Sequence, residues 1–232
     1  MNGVDYSYWN PEVDPHIYQL YTKNTLSVKN ENKSRLLQDL KMAKSENRPL
    51  VCAITRLVQQ KGIELIKHAI YRTLEKGGQF ILLGTAPDPQ IHWEFSELQE
   101  ELMHNDNVKI FLHHEETLAH RIFAASDIFI VPSIFEPCGL TQIIAMKYGA
   151  IPVVRKTGGL ADTVFDVVTN PFEKANGFVF DTKDYKGMDY GLDRALEMFT
   201  NDQKTWKKLM LQAMSCDYSW NKPATRYIEM YL

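Results

Sequence analysis

The chain has 232 residues, of which 44% are hydrophobic and 24% charged, with 26 Lys and Arg against 29 Asp and Glu for a net charge of −3. That is room for one large domain or two small ones with an ordinary globular core, and there is no basic field to hold nucleic acid non-specifically. Cys52, Cys138 and Cys216 are far apart and odd in number, which speaks for a reducing compartment and against a disulfide framework or zinc spacing; no apolar run approaches the ~20 residues of a membrane span, and the polar opening Asn2-Gly3-Val4-Asp5 is not laid out as a signal peptide.

Residues 1–48 read as a connecting segment with one lead-in helix. Asn2-Gly3, Asn10-Pro11 and Asp14-Pro15 are turn dipeptides, and 31–44 carries Leu36, Leu37 and Leu40 on one helical face. From residue 49 strands and helices alternate. Leu50-Val51-Cys52-Ala53-Ile54 is an apolar run suited to a strand buried on both faces. Gly62 then precedes Ile63, Ile66, Ile70 and Leu74 at helical spacing, closed by Gly77-Gly78. Further strands are predicted at 79–83, 108–112, 127–131, 151–154 and 177–180, with helices at 90–104, 115–125, 139–148 and 160–168 and a tail, 184–232, that reads as helical throughout. Pro152 suits the first positions of its strand or an edge. The alternation predicts an α/β fold, a Rossmann-like parallel sheet of about six strands over 49–216 with flanking helices. In such sheets ligands bind beyond the carboxyl ends of the strands, so the functional residues are expected just after 54, 83, 112, 131 and 154.

Those positions carry suggestive residues. Arg56 and Lys61 lie on a loop feeding a helix start, where a guanidinium fork, an ammonium and free backbone N–H groups suit a diphosphate. Gly84 and Thr85 follow the second strand, Gly84 where a backbone could approach a ligand. Glu136 stands at the end of the fourth strand, just before Cys138, Gly139, Leu140 and Thr141 open a helix. A sugar phosphate would use both, the phosphate on the N–H groups and the sugar hydroxyls on the carboxylate. Arg155, Lys156, Thr157, Gly158 and Gly159 repeat the theme after the fifth strand. Neither the G-x-x-x-x-G-K-[ST] loop nor the G-x-G-x-x-G fingerprint occurs. His113, His114 and His120 lack the further ligands of a zinc site and read as surface or loop histidines, so no metal is expected. Trp93, Trp206, Trp220, Tyr227 and Tyr231 read as aromatics packing between helices.

The strings Ile54-Thr55-Arg56-Leu57 with Gln60-Lys61-Gly62, Pro132-Ser133 with Phe135-Glu136-Pro137-Cys138-Gly139-Leu140-Thr141-Gln142, and Arg155-Lys156-Thr157-Gly158-Gly159-Leu160 with Asp162-Thr163-Val164 resemble the bacterial glycogen synthases and plant starch synthases. Asn2-Gly3-Val4-Asp5 with Trp9-Asn10-Pro11 resembles the family's interdomain junction, and Asp217-Tyr218-Ser219-Trp220 its C-terminal helix signature. Ile66 to Leu74 and Ala86-Pro87-Asp88-Pro89 look most like plant classes III and IV.

The resemblance implies the C-terminal, donor-binding half of a GT-B-type two-domain glycosyltransferase. In that reading 217–232 packs toward an N-terminal domain absent from these residues. It implies retaining, metal-independent transfer of glucose from ADP-glucose to an α-1,4-glucan, without a cofactor and without nucleic-acid or membrane partners. Arg56 and Lys61 would hold the departing diphosphate, and Glu136 the glucose. Cys138 and Gly139 would hold sugar hydroxyls through their backbones, Leu140 and Thr141 the phosphates, and His114 would stand where relatives place an aromatic against the adenine. Gly84, Thr85, Thr157, Gly158 and Gly159 complete the expected substrate site. Related glycosyltransferases carry a second Glu eight positions beyond the first; here that residue is Ile144. A plastid is implied for a plant or algal source, the cytoplasm for a bacterial one. A truncated, inactive nucleotide-sugar binder and an enzyme using a UDP- or GDP-sugar remain the alternatives.

Overall fold

A computed structural model describes residues 2–44 and 47–231, with the side chains of Lys222, Arg226 and Tyr231 outside that description. Six strands form one sheet: β1 (Leu50–Arg56), β2 (Gln79–Thr85), β3 (Val108–Phe111), β4 (Ile128–Val131), β5 (Ile151–Arg155) and β6 (Phe178–Phe180). Every pairing is parallel, in the order β3-β2-β1-β4-β5-β6. The central strands are apolar along their length because helices cover both faces. Pro152 lies inside the sheet, at the second position of β5. It pairs with Phe129 of β4, and β6 joins only from Val153 onward, so its missing N–H falls before that ladder begins.

Helices α1 (Lys29–Asp39), α2 (Ile63–Glu75), α3 (Pro89–Glu101), α4 (Glu116–Ala125), α5 (Thr141–Lys147), α6 (Gly158–Thr163), α7 (Tyr185–Asn201), α8 (Gln203–Ser215) and α9 (Asn221–Tyr231) complete the chain. One layer joins α1 to α4, α4 to α5 and α5 to α8; on the other side α2 packs against α7. The lead-in helix is shorter than its leucine pattern predicts. Leu40 closes it and Lys41 turns away at φ 53°, with a 3-10 helix at Lys23–Val28 before it. The tail is not helical throughout: residues 216–220 run between α8 and α9, and Ser219 forms a parallel bridge with Val4. Val4 N donates to the Tyr218 carbonyl at 2.8 Å, and a Cβ on Gly3 would lie 2.6 Å from the Trp220 backbone. The opening and closing segments of the chain are therefore clasped to each other.

The lead-in segment is held by buried polar contacts that its sequence does not announce. His120, predicted at the surface, is fully buried on α4, because Asp14 supplies a partner at 2.7 Å from its Nδ1 and Trp9 stacks on the ring at 4.0 Å. Tyr148 also donates to Asp14, at 2.5 Å. Lys33 donates to Asp127 Oδ2 at 2.6 Å, and the same oxygen accepts from Leu50 N at 2.8 Å, which fixes α1 to the start of β1 and β4. Breaking such a pair leaves an uncompensated buried charge and costs about 3–5 kcal/mol. Trp206 is buried as predicted. Trp93 and Tyr227 are exposed, since their helices turn these faces outward, as is Trp220 in the segment before α9, and the Tyr231 side chain lies outside the described residues.

Lys29 Nζ donates to the carbonyls of Ala124 at 2.8 Å and Phe123 at 3.4 Å, at the end of α4. Burial pushes its pKa down to about 7, against the attraction of Asp127. Two carbonyls match the two N–H donors of a neutral amine. The unfolded chain binds this proton up to the ordinary lysine range, so stability rises with pH above about 7 and is lost as pH falls through that value. Thermal melts are expected to shift upward between pH 7 and pH 9, and Lys29→Met to remove that rise.

Candidate functional site

The strand order reverses between β1 and β4, which are neighbours although β2 and β3 separate them in sequence. Their loops leave toward opposite sides and open a crevice at the carboxyl edge of the sheet. The loop after β1 carries Arg56 to Gly62, and the loop after β4 carries Pro132 to Leu140. Gln60 O accepts from Ile134 N at 2.8 Å and Phe135 N at 3.2 Å, which sews the two loops together at their base. Gly62 makes the approach possible. Its φ is +72°, and a Cβ there would lie 2.3 Å from the Pro132 carbonyl.

Across this crevice Lys61 Nζ donates to Glu136 Oε2 at 2.5 Å. Seventy-five residues separate the two in sequence. Ser133 Oγ donates to the same carboxylate oxygen at 3.1 Å. Glu136 is 8% exposed and Lys61 19%, so the pair is shielded from water yet reachable from the crevice. Arg56 lies exposed at the end of β1 and, among the described residues, makes no ion pair. Of the three residues expected to be catalytic, Lys61 and Glu136 are paired with each other, and Arg56 stands open at the end of β1.

Other site residues fall on the same edge. Thr85 lies opposite Arg56 in the sheet, and its carbonyl accepts from Leu57 N at 2.7 Å. Gly84 faces β1: a Cβ there would meet the Thr55 carbonyl at 2.3 Å, so this glycine serves strand contact. His114 is exposed in the loop between β3 and α4. Gly139 turns the chain at φ +70°, Cys138 is half-buried, Leu140 is exposed and Thr141 opens α5. Thr157, Gly158 and Gly159 bring α6 against the Glu136 loop. Gly159 N donates to the Glu136 carbonyl at 3.0 Å, and a Cβ on Gly159 would lie 1.9 Å from the Cys138 carbonyl. The Gly159 amide is thereby spent on the protein, supporting the loop that holds Glu136.

Helix starts differ along this edge. The starts of α3, α7 and α8 are capped by the side chains of Asp88, Asp184 and Asp202. The starts of α2, α5 and α6, which surround the crevice, have no side-chain cap. At α6 the Gly159 amide is taken by the Glu136 carbonyl, so the first N–H groups and positive dipole ends left for water or an anion are those of α2 and α5.

Three supporting residues escape sequence reasoning. Arg155, which reads in the sequence as a loop cation, is buried and points back into the fold. It donates to the carbonyls of Ser133 at 2.8 Å and Ile134 at 2.5 Å, so it anchors the Glu136 loop. Lys156 is the exposed cation of that pair. Gln142, fully buried, donates to the Gly139 carbonyl at 2.9 Å and Thr163 Oγ1 at 3.1 Å. Ser133 carries a hydroxyl to Glu136. The signal for all three is a polar residue inside an apolar run, and that signal does not name the partner. Ile144 is buried in α5.

The loop contacts predict the result of adding a methyl group. Gly62→Ala and Gly159→Ala should each destabilise the fold by about 1–3 kcal/mol through strain and loop displacement. Urea unfolding reads this as a lowered midpoint at unchanged slope. An unchanged midpoint would mean that the loops do not meet as described.

Residues 36–209 match the family model described as glycosyl transferases group 1. The chain is 50% identical, over its whole length, to a protein named probable starch synthase 4 from Arabidopsis thaliana, covering 22% of that protein. It is 48% identical to a glycogen synthase from Protochlamydia amoebophila, covering all of this chain and 48% of that one. The catalytic domain of starch synthase IV from Arabidopsis thaliana, solved bound to ADP and acarbose, superposes with a TM-score of 0.97 at 50% identity, over 100% of this chain and 48% of that one. The chain thus spans about half the length, or less, of the relatives it matches.

Proposed function

The chain belongs to the group 1 glycosyl transferases, and from that premise we propose that it is the donor-binding half of a retaining α-1,4-glucan synthase that takes glucose from ADP-glucose. The observation that carries the proposal is the Lys61–Glu136 pair across the β1/β4 crevice, a cation and a carboxylate in one shielded site among uncapped helix starts. The relative solved with ADP supports the nucleotide.

In this reading Arg56 and Lys61 receive the diphosphate, with the N-terminal amides of α2 beside them. Glu136 faces the glucose. Cys138 and Gly139 present backbone groups to its hydroxyls, Leu140 and Thr141 approach the phosphates, and His114 lies toward the base. Gly84, Thr85, Thr157 and Gly158 shape the edge of the site. The bond from the anomeric carbon to the phosphate oxygen breaks and a glucan hydroxyl attacks on the same face, its proton passing to the departing phosphate oxygen. Negative charge grows on the departing diphosphate, and preorganised cations aimed at that charge do most to lower the barrier.

Acceptor and water exclusion come from a second wall, which we assign to an N-terminal domain of the kind that makes up the rest of the longer relatives. The exposed face of α9, with Trp220 before it and Tyr227, Ile228 and Met230 along it, suits packing against that domain. No helix among the described residues is long and apolar enough to cross a membrane. We assign the protein to a plastid if its source is a plant or alga, as relatives named chloroplastic or amyloplastic suggest, and to the cytoplasm if bacterial.

Calorimetry is expected to show weak ADP binding by the chain that weakens with salt; no binding at millimolar ADP, or a preference for UDP-glucose in competition, would overturn the donor assignment. In the protein carrying both halves, Lys61→Ala, Arg56→Ala and Glu136→Ala should each lower kcat, the cation variants on the order of 10²-fold. A raised KM at normal kcat would instead mean uniform ground-state binding. The chain alone should incorporate no labelled glucose into glycogen, and incorporation should appear when the N-terminal half is supplied.

A further inference from the structure

At the carboxyl edge of the sheet, the opening segment of the chain meets the start of α4. β3 ends at Phe111, residues 112–115 cross that edge, and Glu116 begins α4. The helix returns over β1 and against α5, so its first turn stands at the same edge as the loops that carry Lys61 and Glu136. His114 is exposed in the loop just ahead of it. Tyr8 reaches this point from 108 positions away in sequence, and its hydroxyl donates to Glu116 Oε1.

Tyr8 is an aromatic held in place and left open. Its ring meets Trp9 at 87° with 5.3 Å between centroids, and His120 at 81° with 5.1 Å. Trp9 and His120 are themselves stacked, and His120 is tied to Asp14 at 2.7 Å. Tyr8 nonetheless remains 39% exposed. A ring fixed through its hydroxyl and by two neighbouring rings loses little freedom when a flat ligand covers it.

The carboxylate beside it is half used. Tyr8 takes Glu116 Oε1, and among the described residues nothing donates to Oε2. Glu115 is turned to His113 instead, at 3.7 Å. Because the tyrosine donates, Glu116 stays an acceptor, and its orientation is set by a partner. A flat ring lying on Tyr8 would meet this acceptor at its rim and needs a donor there. Adenine carries one in its 6-amino group. Uracil carries a carbonyl oxygen at the corresponding edge and offers only a single ring to stack.

We propose that Tyr8 and Glu116 set the base preference of the donor site, with adenine stacked on Tyr8 and its 6-amino group donating to Glu116 Oε2. The proposal deepens the ADP-glucose reading and rests on it. It makes the opening segment, which lies outside the sheet, part of the nucleotide site. It also gives the Tyr8 hydroxyl a task distinct from stacking: by occupying Oε1 it presents Oε2 alone to the base.

The test titrates the 232-residue chain, followed by NMR because the affinities are weak, with three probes: ADP, purine riboside 5′-diphosphate, in which hydrogen replaces the 6-amino group, and UDP. ADP should bind roughly tenfold tighter than the purine riboside compound, the scale of one hydrogen bond to a charged group. Glu116→Gln should erase that difference at unchanged melting temperature. With Tyr8 still donating to the remaining side-chain oxygen, the new amide turns an N–H toward the base, so UDP binding should strengthen. Tyr8→Ala should weaken both purine diphosphates about fivefold or more, the scale of one base stacked on an aromatic. Tyr8→Phe should keep the stacking and narrow the difference between the two purines. Equal binding of the two purine diphosphates by the unaltered chain, a difference that survives Glu116→Gln, or indifference to Tyr8→Ala would overturn the assignment while leaving the donor site standing. Absence of ADP binding by the unaltered chain would overturn the donor reading itself.

Discussion

The reversal of strand order between β1 and β4 governs the rest of the molecule. Every strand here is parallel to its neighbours, so every connection must cross from the carboxyl edge back to the amino edge. Connections on one side of the reversal leave in one direction and those on the other side leave in the opposite one. The gap this creates is the one place where two loops from distant parts of the chain face each other without a strand between them. Lys61 and Glu136 meet there because of topology. Gly62 allows the loops to touch, and Gln60 and Arg155 hold them at that distance through backbone hydrogen bonds.

The opposite edge of the sheet shows what the crevice avoids. There Lys33 and the Leu50 amide both donate to Asp127, Lys33 donates also to the Arg48 carbonyl, and Lys29 is matched to two carbonyls. Beside the crevice, the starts of α2 and α5 have no side-chain cap and Arg56 is left without an acidic partner among the described residues. The polar groups that anchor the fold and those that stand open at the crevice are thus carried by different residues.

Much of this was legible in the residues. Apolar runs such as Leu50 to Ile54, punctuated by Gly62 and Gly77, report strand and helix because burial and turn geometry act locally. Arg56, Lys61 and Glu136 stood out as charges at strand ends. What stayed hidden depends on distant partners. His120 reads as a surface residue until Asp14, 106 positions away, is folded against it. Arg155 reads as a ligand cation until the carbonyls of Ser133 and Ile134 are seen to occupy it. The 216–220 segment reads as helix until Val4 offers it a strand to pair with.

The clasp between Val4 and Ser219 has a mechanical consequence. The bridge ties the opening segment to the chain just ahead of α9, so a displacement of either segment is passed directly to the other.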